Sequence, residues 1–122
     1  MSEINWHERA ENTEFKVRNF IDGEYRDCVG STTIDKYAPN NGKLLYQFAA
    51  GDGSEVDQAV AAAKGTYKEG VWADLSIGER QAVITKLADL VEENAETFAL
   101  YESLDVGKPI SYALYDDVLS RT

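Results

Sequence analysis

The clearest pattern of apolar and polar positions runs from Ser76 to Pro109, SIGERQAVITKLADLVEENAETFALYESLDVGKP. Ile84, Leu87, Val91, Phe98 and Tyr101 recur at three- and four-residue steps on one face. Gln81, Lys86, Asp89, Glu92, Glu93 and Glu96 take the other face, as in an amphipathic helix. Ser76 stands three residues ahead of Glu79, the spacing of a capping box. Asn94 interrupts the run, and asparagine caps a new helix better than it sits inside an old one. Gly107-Lys108-Pro109 supplies the stop, a glycine past the last turn with a proline beyond it. The pattern predicts two helices end to end.

Upstream, residues 1–14 are polar and allow one short helical turn around Trp6 to Ala10. Two extended runs, Phe15 to Ile21 and Glu24 to Asp27, flank Asp22-Gly23, which predicts a hairpin closed by a type I′ turn. Gly30-Ser31 breaks the chain, and Thr32 to Tyr37 and Lys43 to Ala49 predict a second hairpin around Pro39-Asn40-Asn41-Gly42. Gly51-Asp52-Gly53-Ser54 then opens a helix whose Val56, Ala59, Val60, Ala63 and Tyr67 share a face. Asp52, Glu55 and Asp57 gather at its start and Lys64 and Lys68 at its end, as the helix dipole favours. Gly70 and Trp72 close it, with the indole expected to bury against the next helix. Pro109 suits a first helical position, so Ile110 to Leu119 reads as a last helix. Ser120-Arg121-Thr122 shows no glycine, no proline and no change of period, so the chain is expected to be cut there.

Composition narrows the class without naming an activity. The 122 residues are 43% hydrophobic and 28% charged, which suits one globular domain with a core. Twelve Lys and Arg against 22 Asp and Glu leave a net charge of −10, a poor match for nucleic acid or anionic lipid. The single cysteine, Cys28, excludes an internal disulfide and a cysteine-based zinc cluster. With no secretory signal and no apolar run of membrane-spanning length, a soluble, cytoplasmic protein is expected.

No group of residues converges into a catalytic set. Cys28 as a nucleophile would need a histidine or cation beside it, and the only histidine is His7, on the N-terminal arm. A small residue at a strand end is the better reading of Cys28, and a surface residue the better reading of His7. Gly107-Lys108 lacks the upstream glycine and the following Ser/Thr of a phosphate-binding loop. Asp116 and Asp117 point about 100° apart on a helix, so they do not converge on one ion. Asp105 sits near a helix C-terminus, where the dipole disfavours an acid. Either a turn role or a compensating cation or N–H group would account for it.

Taken in order, several segments resemble the N-terminal region of the aldehyde dehydrogenase superfamily. They are Phe20-Ile-Asp-Gly-Glu-Tyr25, Ala38-Pro-Asn-Asn-Gly42, Val56 to Ala63, Trp72, Glu79-Arg80, Lys86 to Leu90 and Tyr101 to Pro109. The first of these, Lys86 to Leu90 and the Asp116-Asp117 pair are most similar to the branch acting on aminoaldehydes such as γ-glutamyl-γ-aminobutyraldehyde. The resemblance implies an α/β fold in which this segment is α+β, two β-hairpins followed by about four helices packed around the dinucleotide-binding domain. Residues 1–14 would be a loose N-terminal arm and residues 15–122 the N-terminal part of the NAD-binding domain.

The implied reaction is oxidation of an aldehyde to a carboxylic acid with NAD or NADP, in a likewise implied homo-oligomer. The family's nucleophilic cysteine, general-base glutamate, oxyanion-holding asparagine and glycine-bearing dinucleotide loop would all follow Thr122. No catalytic or cofactor-binding residue is therefore expected here, and Cys28 does not match the nucleophile. Some members hold a structural Na⁺ or K⁺ at positions that correspond to Asp105, Lys36 and Tyr37. Lys36 stands where many members have threonine, and Ala38 where asparagine is usual. The alone-standing chain would expose helix faces meant for the missing sheet. The rival is a self-contained acidic binding module with a core or homodimer interface of its own; a hydrolase using Cys28 or His7 lacks convergent groups.

Overall fold

Asp22 and Gly23 adopt φ of 57° and 78°, the pair of left-handed residues a type I′ turn requires. They join β1 (Asn19–Ile21) to β2 (Glu24–Arg26) in antiparallel register, Asn19 opposite Arg26 and Phe20 opposite Tyr25. The computed structural model describes residues 4–28 and 32–119. The expected break at Gly30-Ser31 and the end at Ser120 to Thr122 lie outside the described residues.

The second predicted hairpin is also present, as β3 (Thr33–Tyr37) and β4 (Leu44–Ala49). Its turn is closed by the Ala38 N–H donating to the Lys43 carbonyl at 2.8 Å and the Gly42 N–H donating to the Ala38 carbonyl at 2.8 Å. Five helical segments follow the expected order around these strands. They are α1 (Trp6–Glu11), α2 (Gly53–Lys68), α3 (Ile77–Glu93), α4 (Ala95–Val106) and α5 (Ile110–Tyr112), the last running on into a π-helical stretch, Ala113–Val118. The segment is α+β, as expected. No helix among the described residues is long and apolar enough to cross a membrane.

Local capping chemistry explains where the helices start and stop. The Ser76 N–H donates to Glu79 Oε2 at 2.8 Å and the Glu79 N–H to Ser76 Oγ at 3.3 Å, the predicted capping box of α3. A second box opens α2: Asp52 accepts from the Ser54 and Glu55 N–H groups, and Glu55 reaches back to the Asp52 N–H at 2.8 Å. Asn94 divides α3 from α4, but its side chain donates to the Leu90 carbonyl and leaves the α4 N-terminus without a side-chain cap. Gly107 ends α4 at φ 79°, where a Cβ would also stand 3.0 Å from Pro39 Cγ. The expected last helix forms with a wider turn than an α-helix, the Leu119 N–H donating to the Leu114 carbonyl five residues back.

The chain falls into two compact units. The first comprises Met1–Lys16, Tyr37–Leu45 and Lys86–Thr122. All the buried apolar residues among those described belong to it: Ala38, Ala95, Ala99, Leu100 and Ala113. Ala99 and Ala113 are fully enclosed where α4 meets the π-helical stretch, their small side chains letting the two segments approach closely. Arg9 of α1 pairs with Glu96 of α4, and the Phe15 and Tyr101 rings lie 5.2 Å apart.

The second unit, Val17–Lys36 and Tyr46–Thr85, packs α2 against β1. Its one buried residue among those described is an acid, Glu55. One burial expectation fails. Trp72 is 44% exposed instead of buried against the next helix. Val56, Val60 and Tyr67 of α2 and Ile84 and Leu87 of α3 are likewise exposed, and Val91 is half-buried. The periodicity correctly marks apolar faces, and these stay in large part exposed, as expected of helix faces in the chain by itself.

Hydrogen bonding by Ser76, from the hydroxyl first and then the main chain, holds the Glu79 carboxyl below its ordinary 4.5. Its ionised form is thus favoured in the folded state, giving stability present above 4.5 and lost as pH falls through the lower folded value. Glu79→Gln should therefore lower the urea midpoint at neutral pH, with the gap to wild type closing as pH drops below 4.5. A gap that stays constant with pH would mean that the charge of Glu79 contributes nothing.

Candidate functional site

Cys28 follows β2 and is half-buried. Asn19 Nδ2 lies 3.2 Å from Sγ, and Sγ lies 3.6 Å from the Ala49 carbonyl oxygen. Partial burial pushes the thiol up from its ordinary 9.0; a hydrogen bond with Glu55 and the charges of Glu55, Asp27 and Asp52 add to the rise. A reactive cysteine needs the opposite surroundings, cationic and thiolate-stabilising. His7, exposed on α1, belongs to the other unit. The structure thus gives Cys28 a packing role, as its position in the sequence suggests. Glu55 has three tasks: it caps α2, adds to the rise of the thiol's pKa and fills the space a Cβ at Gly51 would need, which would stand 2.9 Å from Glu55 Oε2.

The other candidate centre is the end of α4 against the β3–β4 turn. Gly107 and Pro39 make the close approach, with Asp105 two residues before the glycine and Tyr37 two before the proline. Asp105 is half-buried and Tyr37 exposed, and both belong to the first unit; Lys36 is half-buried and belongs to the second. The side chains supply one carboxylate and one ammonium, a weak set for a cation. Among the described residues no group of three or more His, Cys, Asp or Glu is placed to hold a metal ion. Main-chain oxygens would have to complete a monovalent shell, and the last carbonyls of a helix lack intrahelical partners.

Lys108 offers nothing to a phosphate, because it is ion-paired with Asp117 of the π-helical stretch. Sequence spacing did not announce this pair, since the partners are nine residues apart, beyond the three- and four-residue steps of a helix face. It also separates the tasks of Asp117 and Asp116, in line with their divergence on the helix. No described residues form a dinucleotide cradle: both sheets are antiparallel strand pairs, whereas the glycine-rich phosphate turn joins a parallel strand to a helix.

Known proteins place this arrangement in a family. A sequence model described as the aldehyde dehydrogenase family matches residues 25–121. The NADP/NAD-dependent aldehyde dehydrogenase PuuC of Escherichia coli K12 is 39% identical over 113 residues, covering 93% of this chain and 23% of that protein. Among solved structures, a gamma-glutamyl-gamma-aminobutyraldehyde dehydrogenase from Burkholderia cenocepacia superposes with a TM-score of 0.90 at 38% identity. That superposition covers 94% of this chain and 23% of the other. An indole-3-acetaldehyde dehydrogenase of P. syringae, in complex with NAD+, gives 0.89 at 38% identity over 94% of this chain and 23% of its own. The chain thus spans about a quarter of the length of the relatives it matches.

With its thiol held protonated, Cys28 should react with iodoacetamide at neutral pH more slowly than free cysteine, the rate climbing only above pH 9.0. Glu55→Gln, which keeps the cap geometry but removes a charge, should move that rise to lower pH. Rapid alkylation of the wild type at neutral pH would contradict the assigned role of Glu55.

Proposed function

We propose, from the premise that this chain belongs to the aldehyde dehydrogenase family, that it is the N-terminal portion of a longer enzyme. That enzyme oxidises an aldehyde, specifically an aminoaldehyde, to a carboxylate with NAD or NADP as oxidant. The observation that carries the proposal is the match over residues 25–121, joined to superposition of nearly the whole chain on about a quarter of each related enzyme. The aminoaldehyde choice rests on the similarity to the Burkholderia enzyme, whose name states such a substrate. In this proposal residues 15–122 begin the NAD-binding domain, residues 1–14 form an arm ahead of it, and the complete protein is a cytoplasmic homo-oligomer.

The part played by this segment is support. Its described residues hold neither a nucleophile of lowered pKa nor a phosphate cradle, so no step of the reaction is assigned to them. Its exposed apolar faces on α2 and α3 suit helices that flank a sheet supplied by later sequence. A self-contained binding module would close a core of its own. The described residues bury four alanines and one leucine, and no large side chain completely, so that alternative draws no support. A monovalent cation, Na⁺ or K⁺, belongs to the same proposal, with Asp105 as its charged ligand and main-chain oxygens near Tyr37 and Lys36 completing the shell.

Two experiments test these statements. The product of the full reading frame should form reduced cofactor when given γ-glutamyl-γ-aminobutyraldehyde, and residues 1–122 alone should form none. Turnover by residues 1–122, or a complete protein inert toward aldehydes, would overturn the assignment. For the cation, the Tm of the complete protein should be higher in K⁺ or Na⁺ than in choline buffer, and Asp105→Ala should erase the difference. Equal Tm in all three buffers would remove the cation site and leave the enzyme assignment standing.

A further inference from the structure

Asn41 and Gly42 stand together at the tip of the β3–β4 turn, both exposed. The other five asparagines, Asn5, Asn12, Asn19, Asn40 and Asn94, each precede a residue that carries a Cβ. Gly42 has φ 69°, and nothing lies within 4 Å of the position a Cβ would take, so no side chain crowds the peptide that follows Asn41. The Lys43 N–H donates to Asn41 Oδ1 at 2.9 Å. This bond curls the asparagine side chain over the following peptide. It also sets a donor on the amide oxygen, where negative charge develops if the side-chain carbon is attacked.

We propose that Asn41 is a site of spontaneous deamidation through a cyclic imide formed with the Gly42 nitrogen. The Gly42 nitrogen bonds to Asn41 Cγ, the side-chain amine departs as ammonia with the proton of the Gly42 N–H, and a five-membered imide remains. Water then opens the ring. Attack at Cγ restores the chain with aspartate at position 41; attack at the main-chain carbonyl leaves the chain running through Cγ as isoaspartate. The balance is one water consumed and one ammonia released, with no oxidant or enzyme.

The opposing feature is the Gly42 N–H bond to the Ala38 carbonyl, which must open before the nitrogen can attack. The turn opens locally far more readily than the protein unfolds, because it is exposed and held by few bonds. The test holds the folded, complete protein at mildly alkaline pH, digests it with trypsin under mildly acidic conditions and follows the peptide Tyr37 to Lys43 by mass spectrometry. The expected result is progressive replacement of one side-chain NH2 by OH, placed at position 41 by fragmentation, in both aspartate and isoaspartate forms. In Asn41→Gln, folded by circular dichroism, both forms should be lost. An Asn41 that stays intact in the folded protein while the urea-unfolded chain converts would overturn the proposal. So would conversion at Asn40 instead, or no conversion in either state.

Discussion

An amphipathic helix in water takes most of its stability from whatever its apolar face packs against, and the helices of this chain are unequal in that respect. Full burial of an aliphatic side chain contributes about 1.5–3 kcal/mol. Ile84, Leu87 and Leu90 on α3, with Val56 and Val60 on α2, stay about half exposed, so that contribution is realised only in part. What is realised sits in the first unit, where α4 meets the π-helical stretch through Ala99 and Ala113. Alanine permits close approach but removes little apolar area, so this contact fixes geometry more than it supplies stability. The capping boxes at Asp52 and Ser76 and the left-handed Gly107 therefore carry an unusual share of the specification of helix ends.

The same shortage shapes what the polar side chains can do. Glu55 caps α2 and faces the Cys28 thiol, Lys108 pairs with Asp117, and Arg9 pairs with Glu96. These three groups are occupied with local structure and not with a ligand. Asp105 stands two residues before Gly107, near the negative end of the α4 dipole.

Local chemistry was legible in the sequence and tertiary chemistry was not. Ser76 with Glu79, Asp22 with Gly23 and Gly107 with Pro109 each act over a few residues, and each formed as its residue types dictate. The fate of Trp72 could not be read in the same way. Periodicity marks a face as apolar but carries no information on whether a partner is present to cover it. The Cys28–Glu55 contact spans 27 positions by subtraction of residue numbers and links a strand end to a helix start, so no local rule points to it. The change from α to π turns at Ala113 was likewise invisible, since Ala-Leu-Tyr-Asp-Asp-Val reads as ordinary helix. The family resemblance filled part of this gap because motifs in a fixed order encode a fold that no single motif does.

The β3–β4 turn shows how a surface feature can matter in such a sparsely packed molecule. Ala38 is one of the few buried apolar residues, and its N–H and carbonyl both close the turn, to Lys43 and to Gly42. Pro39 follows directly and stands against Gly107 at the end of α4. An isoaspartate at position 41 lengthens the main chain by one methylene between those two closures. The Gly42 N–H bond to the Ala38 carbonyl has to open before that extra atom can enter the chain, so the cost of the change falls first on the closure at Ala38.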